Sequence, residues 1–193
     1  MKKKILILAP TRPEIEPFGT RKPAEAEIVL TGIGPYKCAV ATMSAILGQS
    51  PRMAVLAGIA GAYPDSGLSV GDTVIVGTEY SADMGSFTGE AFVPKFRERY
   101  TCPHIPPGLP LRTVRSNSVS GSAAPYTERQ DVQIENMEGA AFFYTCLRHR
   151  IPFIEVRAVS NFVGEDFSRW DVPKATEALG EALNRIIRIF TAQ

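Results

Sequence analysis

Residues 134–161 read IENMEGAAFFYTCLRHRIPFIEVRAVSN, and the change of pattern inside this stretch decides the fold. The segment Met137–Arg148 is apolar and rich in helix formers, which predicts a helix. Ile151-Pro152 ends that helix, because the residue before a proline disfavours helical backbone. The run FIEVRAV over Phe153–Val159 then predicts a strand, which stops at the polar pair Ser160-Asn161.

Two polar side chains frame this helix and strand. Glu138 lies at the entrance of the predicted helix, and Asn161 lies at the carboxyl end of the predicted strand. In open α/β sheets, ligands bind at the carboxyl ends of the strands. The stretch therefore predicts a ligand site that includes a carboxylate and an amide.

Outside this stretch, short apolar runs alternate with amphipathic segments. The runs predict strands over Lys4–Ala9, Glu27–Leu30, Met53–Leu56, Asp72–Gly77 and Leu111–Val119. Helices are predicted to start at Thr11-Pro13 and to extend over Tyr36–Leu47 and Val172–Phe190. This alternation predicts an α/β fold with a mixed, mostly parallel sheet in one layered domain that spans residues 1–193.

Glycine-rich and irregular segments separate several of these elements. Small-residue turns are predicted at residues 31–35, 57–62 and 120–125, and at 57–62 the small side chains let a backbone approach a ligand closely. Gly32-x-Gly34 lacks the third glycine and the acidic residue of a dinucleotide fingerprint, so a structural turn is the favoured interpretation. Glu79–Pro110 is predicted to be irregular, and it either closes over a site or covers a sheet edge.

Composition excludes several classes of function. The 193 residues are 45% hydrophobic with a net charge of +1, which gives no electrostatic case for nucleic acid or an anionic membrane. The scattered Cys38, Cys102 and Cys146 form no CxxC pair and favour a reduced, cytoplasmic setting. His104 and His149 lack the spacing of metal ligands, and no GxSxG elbow occurs. We therefore expect no metal, no cofactor and no transmembrane segment.

Two carboxylates remain as candidates for catalysis. Glu14 and Glu138 each lie at the start of a predicted helix, where a glutamate can also serve only the helix dipole. Glu138 precedes a strongly apolar helix, which predicts burial, and a buried glutamate without a nearby cation usually has a function. Two carboxylates beside a glycosidic bond are the usual means of passing through an oxocarbenium-like transition state.

Five pieces of the chain resemble the nucleoside phosphorylase and nucleosidase superfamily, and within it the futalosine hydrolases. The pieces are TGIG at 31–34, AGIAGAY at 57–63, VGDTVIVGTEYSADMG at 70–85, NMEGAA at 136–141 and IPFIEVRAVSN at 151–161. They occur in the order of the family and span nearly the whole chain. The resemblance implies a purine nucleoside phosphorylase-like αβα sandwich around a central mixed β-sheet. It also implies hydrolysis of a purine N-ribosyl bond without a metal.

The resemblance also implies roles for individual residues. Glu14 corresponds to the glutamate that activates water, and Glu138 to the carboxylate that binds the ribose hydroxyls and stabilises the cationic sugar. Met137 would pack beneath the ribose, and Trp170 is near the aromatic residue that covers the purine. The backbone of residues 59–61, which are Ile59, Ala60 and Gly61, would line the sugar and water site.

Asn161 differs from the relatives that act on adenine, which have an aspartate at this position, and this difference bears on which base the enzyme releases. An asparagine can donate to O6 of a 6-oxopurine and accept from the N7–H that forms as the base leaves. Because this interaction strengthens as the bond breaks, it favours a hypoxanthine-like leaving group. Futalosine carries hypoxanthine, so its hydrolysis to hypoxanthine and dehypoxanthine futalosine in menaquinone biosynthesis is the first hypothesis.

Other functions stay open at this point. The chain could be a methylthioadenosine/S-adenosylhomocysteine or aminofutalosine nucleosidase, a purine nucleoside phosphorylase, or a non-catalytic nucleoside-binding protein. Futalosine also carries a benzoate, for which Phe87, Phe92 and Arg97 are candidate contacts. Relatives are commonly homodimers or larger, and an apolar face on the Tyr36–Leu47 helix would agree with such an assembly.

Overall fold

A computed structural model describes residues 4–121 and 131–191. In this part of the chain the strands are β1 Ile5–Ala9, β2 Ala26–Leu30, β3 Met53–Ala62, β4 Thr73–Ser81, β5 Gly85–Thr88, β6 Ala91–Pro94, β7 Arg99–Thr101, β8 Arg112–Ser118, β9 Ile134–Asn136 and β10 Phe153–Phe162. The α-helices are α1 Arg12–Gly19, α2 Pro35–Gln49, α3 Gly139–His149 and α4 Val172–Thr191. None of these helices is long and apolar enough to cross a membrane.

The main sheet is mixed, and most of its strand pairs are parallel, as the alternation of elements predicted. Its strand order is β10-β4-β8-β9-β3-β1-β2, with β7 beside β4. The antiparallel pairs are β3 with β9, β4 with β10 and β4 with β7. Because β10 also pairs with β3, five of the strands close into a ring.

Two pairs of helices cover the faces of the sheet and complete the αβα sandwich. Helices α1 and α4 pack together and against β3, while α4 also covers β10. Helices α2 and α3 pack together on the opposite face. The sheet-facing side of α4 is buried at Ala175, Leu179, Ala182, Leu183, Ile186 and Ile187, the apolar stripe that its sequence predicted.

The parallel arrangement of β1, β3 and β10 brings three chain turns to one edge of the sheet. In the ladder between β3 and β10, Asn161 lies opposite Gly61. A bulge between Val159 and Asn161 interrupts that ladder, and bulges reorient side chains next to functional sites. The prediction that Asn161 lies at the carboxyl end of its strand is thus confirmed.

Several strands are longer than their sequence pattern predicted. The predicted strand over Met53–Leu56 continues to Ala62, so residues 57–62 form strand rather than a turn. The strand predicted over Phe153–Val159 continues to Phe162, and the one predicted over Asp72–Gly77 continues to Ser81. The reason is tertiary pairing, because β9 and β10 flank the small residues of β3 and hold them in the sheet.

The segment Glu79–Pro110 is more regular than we predicted. It contains the end of β4, the hairpin of β5 and β6, and the edge strand β7, which pairs with β4. Strand β9 was not predicted as a separate element, because three residues are too few to show an alternating pattern. Most of the predicted turn at residues 120–125 lies outside the described residues.

Candidate active site

One cavity at the carboxyl edge of the sheet brings together the residues that the sequence analysis proposed for catalysis and for binding the sugar and the base. Its volume is about 150 Å³. Its lining includes Glu14, Glu138, Asn161, Ile59, Ala60, Gly61, Met137 and Trp170. These side chains come from four separate parts of the chain, so the cavity exists only in the folded protein.

Glu14 lies in the first turn of α1, directly after β1, and its side chain is buried. Thr11 occupies the N-cap position that the sequence predicted, but its Oγ1 donates to Glu14 Oε1 at 2.7 Å instead of capping the helix. The Ile59 amide donates to Glu14 Oε2 at 3.0 Å. Burial raises the pKa of Glu14, and these two hydrogen bonds oppose the shift without cancelling it. The raised pKa makes Glu14 a stronger base than an exposed glutamate, which suits a role in accepting a proton.

Glu138 occupies the N-cap position of α3, but its carboxylate makes no capping hydrogen bond. Asn136 Oδ1 takes over the capping by accepting from the amides of Glu138 at 2.8 Å and Gly139 at 2.7 Å. The carboxylate of Glu138 is consequently directed elsewhere. Its Oε1 accepts from the amide of Gly34 at 2.9 Å, and Oε2 contacts Arg157 Nη2 at 3.2 Å.

Arg157 is the cation that sequence reasoning did not assign to this site. Glu138 was expected to lack a nearby cation, and this expectation was wrong because the fully buried guanidinium of Arg157 lies beside it. Arg157 also donates to Glu155 Oε1 at 2.7 Å and to Asn136 Oδ1 at 2.9 Å. Burial disfavours the charge of Arg157, but the carboxylates of Glu155 and Glu138 outweigh it and raise its pKa.

Gly58 makes room for this arrangement. A Cβ atom at this position of β3 would lie 2.5 Å from Arg157 Nη1 and 2.8 Å from Glu14 Oε2. The sequence predicted that small residues here would admit a ligand. Gly58 instead admits the side chains that hold the two catalytic candidates in place.

A second pair of buried carboxyl groups lies behind Glu138. Glu79 accepts hydrogen bonds from Ser118 Oγ and Asn136 Nδ2, both at 2.7 Å. Burial, followed by the charge of Glu155, raises the pKa of Glu79 well above its usual value. Burial likewise raises the pKa of Glu155, although Arg157 opposes that shift. Glu155 and Glu138 are thus the two carboxyl groups that pair directly with Arg157, while Glu79 lies behind them.

The amide of Asn161 is held by its two neighbours in the chain. Ser160 Oγ donates to Asn161 Oδ1 at 2.8 Å, and Asn161 Nδ2 donates to the carbonyl of Phe162 at 2.9 Å. These bonds distinguish the oxygen from the nitrogen of the amide. Each end retains further capacity, because an amide has two N–H donors and two acceptor lone pairs.

The remaining predicted residues form the walls of the cavity. The backbone of Ile59 is already occupied, since its amide bonds Glu14 and its carbonyl accepts from Arg157 Nη1 at 3.2 Å. Trp170 packs beside Phe167, with ring centroids 5.1 Å apart, and its Nε1 donates to the carbonyl of Glu165 at 3.3 Å. Met137 lies in the short connection between β9 and α3.

The described wall of the cavity carries acidic side chains and no lysine, arginine or histidine. Besides Glu14 and Glu138, it includes Glu135 and Glu165. Such a wall stabilises a developing positive charge and opposes the binding of a free anion. Phe87, Phe92 and Arg97, the candidate benzoate contacts, do not line it.

Comparison with known proteins agrees with this geometry. The family model of the phosphorylase superfamily matches residues 113–192. The chain is 31% identical to futalosine hydrolase of Thermus thermophilus over 94% of both chains. It is 30% identical to the 5′-methylthioadenosine/S-adenosylhomocysteine nucleosidase of Maridesulfovibrio salexigens, over 75% of this chain and 71% of that one. The fold matches the apo structure of Arabidopsis thaliana 5′-methylthioadenosine nucleosidase with a TM-score of 0.83 at 16% identity, over 100% of this chain and 98% of that one.

Fold, cavity and relatives together define the class of the protein, a hydrolase that acts on N-glycosyl bonds. Two buried carboxyl groups at one cavity are the usual means of stabilising and attacking a ribosyl cation. The chain belongs to the phosphorylase superfamily, within the group that contains the futalosine hydrolases and the methylthioadenosine/S-adenosylhomocysteine nucleosidases.

Proposed function

We propose that the protein hydrolyses the N-glycosidic bond of futalosine and releases hypoxanthine and dehypoxanthine futalosine. The observation that carries this proposal is the single cavity in which Asn161 faces the same space as Glu14 and Glu138. The 31% identity to a futalosine hydrolase over 94% of both chains supports the choice of substrate. A role in menaquinone biosynthesis in the cytoplasm is part of the proposal.

The proposed reaction proceeds through a ribosyl cation. The C1′–N9 bond breaks, its electron pair moves into the purine, and positive charge develops on the sugar. Glu138 accepts hydrogen bonds from the ribose hydroxyls and stabilises that charge. Glu14 takes a proton from a water molecule as the water oxygen bonds to C1′. The purine takes up a proton from solvent at N7 and leaves as neutral hypoxanthine.

Water is favoured over phosphate as the acceptor because of the charge of the cavity. A phosphorylase needs cations that converge on phosphate, and the described wall offers none at its surface. The guanidinium of Arg157 is fully buried among Glu138, Glu155 and Asn136. Turnover of futalosine in phosphate-free buffer, unchanged when phosphate is added, tests this assignment, and strict dependence on phosphate would contradict it.

Replacing Asn161 by aspartate should shift the preference of the enzyme between bases. A protonated aspartate can donate to N7 while accepting from the N6 amine of an aminopurine, whereas asparagine matches O6 and N7–H. We expect the ratio of kcat/KM for aminofutalosine to that for futalosine to increase about 10-fold or more, since mismatched polar sites discriminate strongly. Asn184→Asp, the same change on α4 outside the cavity, is the control, and an unmoved ratio in the Asn161→Asp variant would refute the role of Asn161.

The 5′ end of futalosine would extend into a hollow next to the cavity. This hollow of about 310 Å³ shares Met137 and Val119 with the cavity. Its other walls include Tyr36, Met84 and Tyr144, which suit an aromatic group. We therefore assign the aromatic ring of the benzoate to this hollow rather than to Phe87 and Phe92, and no cation among the described residues of the hollow faces its carboxylate.

A homodimer is the proposed assembly, with α2 at its interface. Tyr36, Val40, Met43 and Leu47 form an exposed apolar stripe on α2, and Tyr36 is 85% exposed. An apolar stripe of this size on a soluble protein indicates a partner surface. Sedimentation should give twice the mass of the chain, and Val40→Glu should reduce it to one chain. A wild-type protein that sediments as a monomer would overturn this assembly.

A further inference from the structure

Glu135 is a buried carboxylate of the cavity wall for which the proposed reaction has no use. It lies in β9, is 6% exposed, and lines the cavity together with Asn161. Its Oε2 accepts a hydrogen bond from the hydroxyl of Tyr63 at 3.1 Å, and that hydroxyl accepts from Asn117 Nδ2 at 3.1 Å. A carboxylate has about four acceptor lone pairs, so Glu135 can accept from a donor on a ligand in addition to its contacts within the protein.

The sheet places Glu135 and Asn161 on either side of Gly61. In the ladders of β3, Gly61 lies opposite Asn161 of β10 and opposite Glu135 of β9. Residues opposite each other in a ladder project from the same face of the sheet, so both side chains rise beside the glycine. Neighbouring strands lie about 4.8 Å apart, which separates the two backbones by about 10 Å.

Gly61 keeps the space between these side chains open. A Cβ atom at Gly61 would lie 3.2 Å from both Asn161 Nδ2 and Val163 Cγ2. A side chain at position 61 would therefore crowd the amide of Asn161 on the face of the sheet that Glu135 shares. With glycine here, the edge of a flat ring can approach this face with Asn161 at one end of the edge and Glu135 at the other.

The edge of hypoxanthine matches this pair of groups. Along that edge lie N7, the acceptor O6 and the donor N1–H, in this order. The amide of Asn161 suits N7–H and O6, while a carboxylate is an acceptor only and suits N1–H. Adenine has a lone pair at N1 instead, which a carboxylate repels.

We propose that Glu135 is a specificity-determining residue that accepts a hydrogen bond from N1–H of a 6-oxopurine. This inference rests on the proposed function and extends it, because it adds a second recognition point on the base. Asn161 recognises N7–H and O6 of the purine, and Glu135 recognises N1–H.

Replacing Glu135 by glutamine tests the inference. The variant keeps an acceptor for the Tyr63 hydroxyl but loses the charge, and its amide can donate to N1 of an aminopurine. We expect kcat/KM for futalosine to fall about 10- to 100-fold, the range for a hydrogen bond to a charged group. The value for aminofutalosine should not fall, so the ratio of the two changes by at least that factor.

Inhibition by free bases gives a second readout that does not require turnover. Wild-type enzyme should bind hypoxanthine more tightly than 1-methylhypoxanthine, which lacks the N1–H, and more tightly than adenine. Glu135→Gln should lose this discrimination. Tyr63→Phe is the matched control, because it removes the structural hydrogen bond to Glu135 but leaves the carboxylate, and it should retain the preference for hypoxanthine.

The outcomes separate this inference from the proposed function. If wild-type enzyme hydrolyses futalosine and Glu135→Gln keeps the same preference, the role of Glu135 is wrong while the proposed function stands. If wild-type enzyme releases no hypoxanthine from futalosine, the proposed function fails. In that case, a preference for hypoxanthine that Glu135→Gln abolishes would still support the role of Glu135, and no preference would overturn it.

Discussion

Replacing Glu14 by glutamine is expected to lower kcat for futalosine hydrolysis by about 10²- to 10⁴-fold, the usual contribution of a general base. A glutamine side chain cannot take the proton from the attacking water. It can still accept from the Ile59 amide and bond the Thr11 hydroxyl, the two partners of Glu14. The cavity should therefore keep its shape, and KM should change little.

The pH dependence of the wild-type enzyme gives an independent check of Glu14. Only the ionised carboxylate can act as a base, so kcat/KM should rise with pH through the pKa of Glu14. Because burial raises this pKa, the rise should lie at a higher pH than for an exposed glutamate. For Glu14→Gln, kcat/KM should no longer rise with pH in this range.

Glu16→Gln is the matched control for this experiment. Glu16 lies on the same helix α1, but its side chain is exposed to solvent. The control variant should retain wild-type kcat and the wild-type pH profile. A Glu14→Gln enzyme that keeps more than a tenth of wild-type kcat would show that another group activates the water.

Replacing Glu138 by glutamine should lower kcat/KM by about 10- to 100-fold, because hydrogen bonds to a charged group are worth about 1.5–3 kcal/mol and these form to the cationic transition state. The charge that stabilises the ribosyl cation is lost, whereas the contact with the Gly34 amide can be kept. The variant should also unfold at a lower temperature, since Arg157 loses one of its carboxylate partners.

A 2′-deoxy substrate separates the two consequences of this change. Wild-type enzyme should hydrolyse 2′-deoxyfutalosine more slowly than futalosine, because the hydroxyl that Glu138 binds is missing. For Glu138→Gln the rates of the two substrates should differ little. Once the carboxylate is gone, removing its partner hydroxyl costs little more, because the effects of two interacting groups are not additive. If the loss for the deoxy substrate were equally large in both enzymes, Glu138 would not be the partner of the 2′-hydroxyl.

The alternation of apolar runs and helical segments was enough to predict the order of most strands and helices. It failed where pairing across the sheet overrides local preference. The small residues of β3 look like a turn in the sequence, yet strands on both sides hold them in the ladder. Strand β9 has three residues, too few for any pattern, although its pairing with β3 and β8 positions Glu135 and Asn136.

The candidate site was predictable as a set of positions but not as a network of charges. The family resemblance pointed to Glu14, Glu138 and Asn161, and the structure brings them to one cavity. Arg157 was not assigned a role, because an arginine in an apolar strand shows its partners only in three dimensions. Arg157 follows Glu155 by two positions, so both side chains lie on one face of β10. This spacing was the one sign in the sequence that the two could pair.

Asn136 illustrates the same limit. In the sequence it is one polar residue beside Met137. In the fold it caps α3, bonds Arg157 and contacts Glu79, so that Glu138 is free to face the cavity. These contacts join residues that are between two and fifty-seven positions apart in the chain, which no local pattern can show.

The central claim is that this cavity hydrolyses futalosine with water and selects a 6-oxopurine. The most direct test is to incubate the enzyme with futalosine or with 5′-methylthioadenosine in phosphate-free buffer and to measure the released base by chromatography. The predicted result is hypoxanthine from futalosine and little or no adenine from methylthioadenosine. Adenine from methylthioadenosine with none from futalosine, or release of base only after phosphate is added, would contradict it.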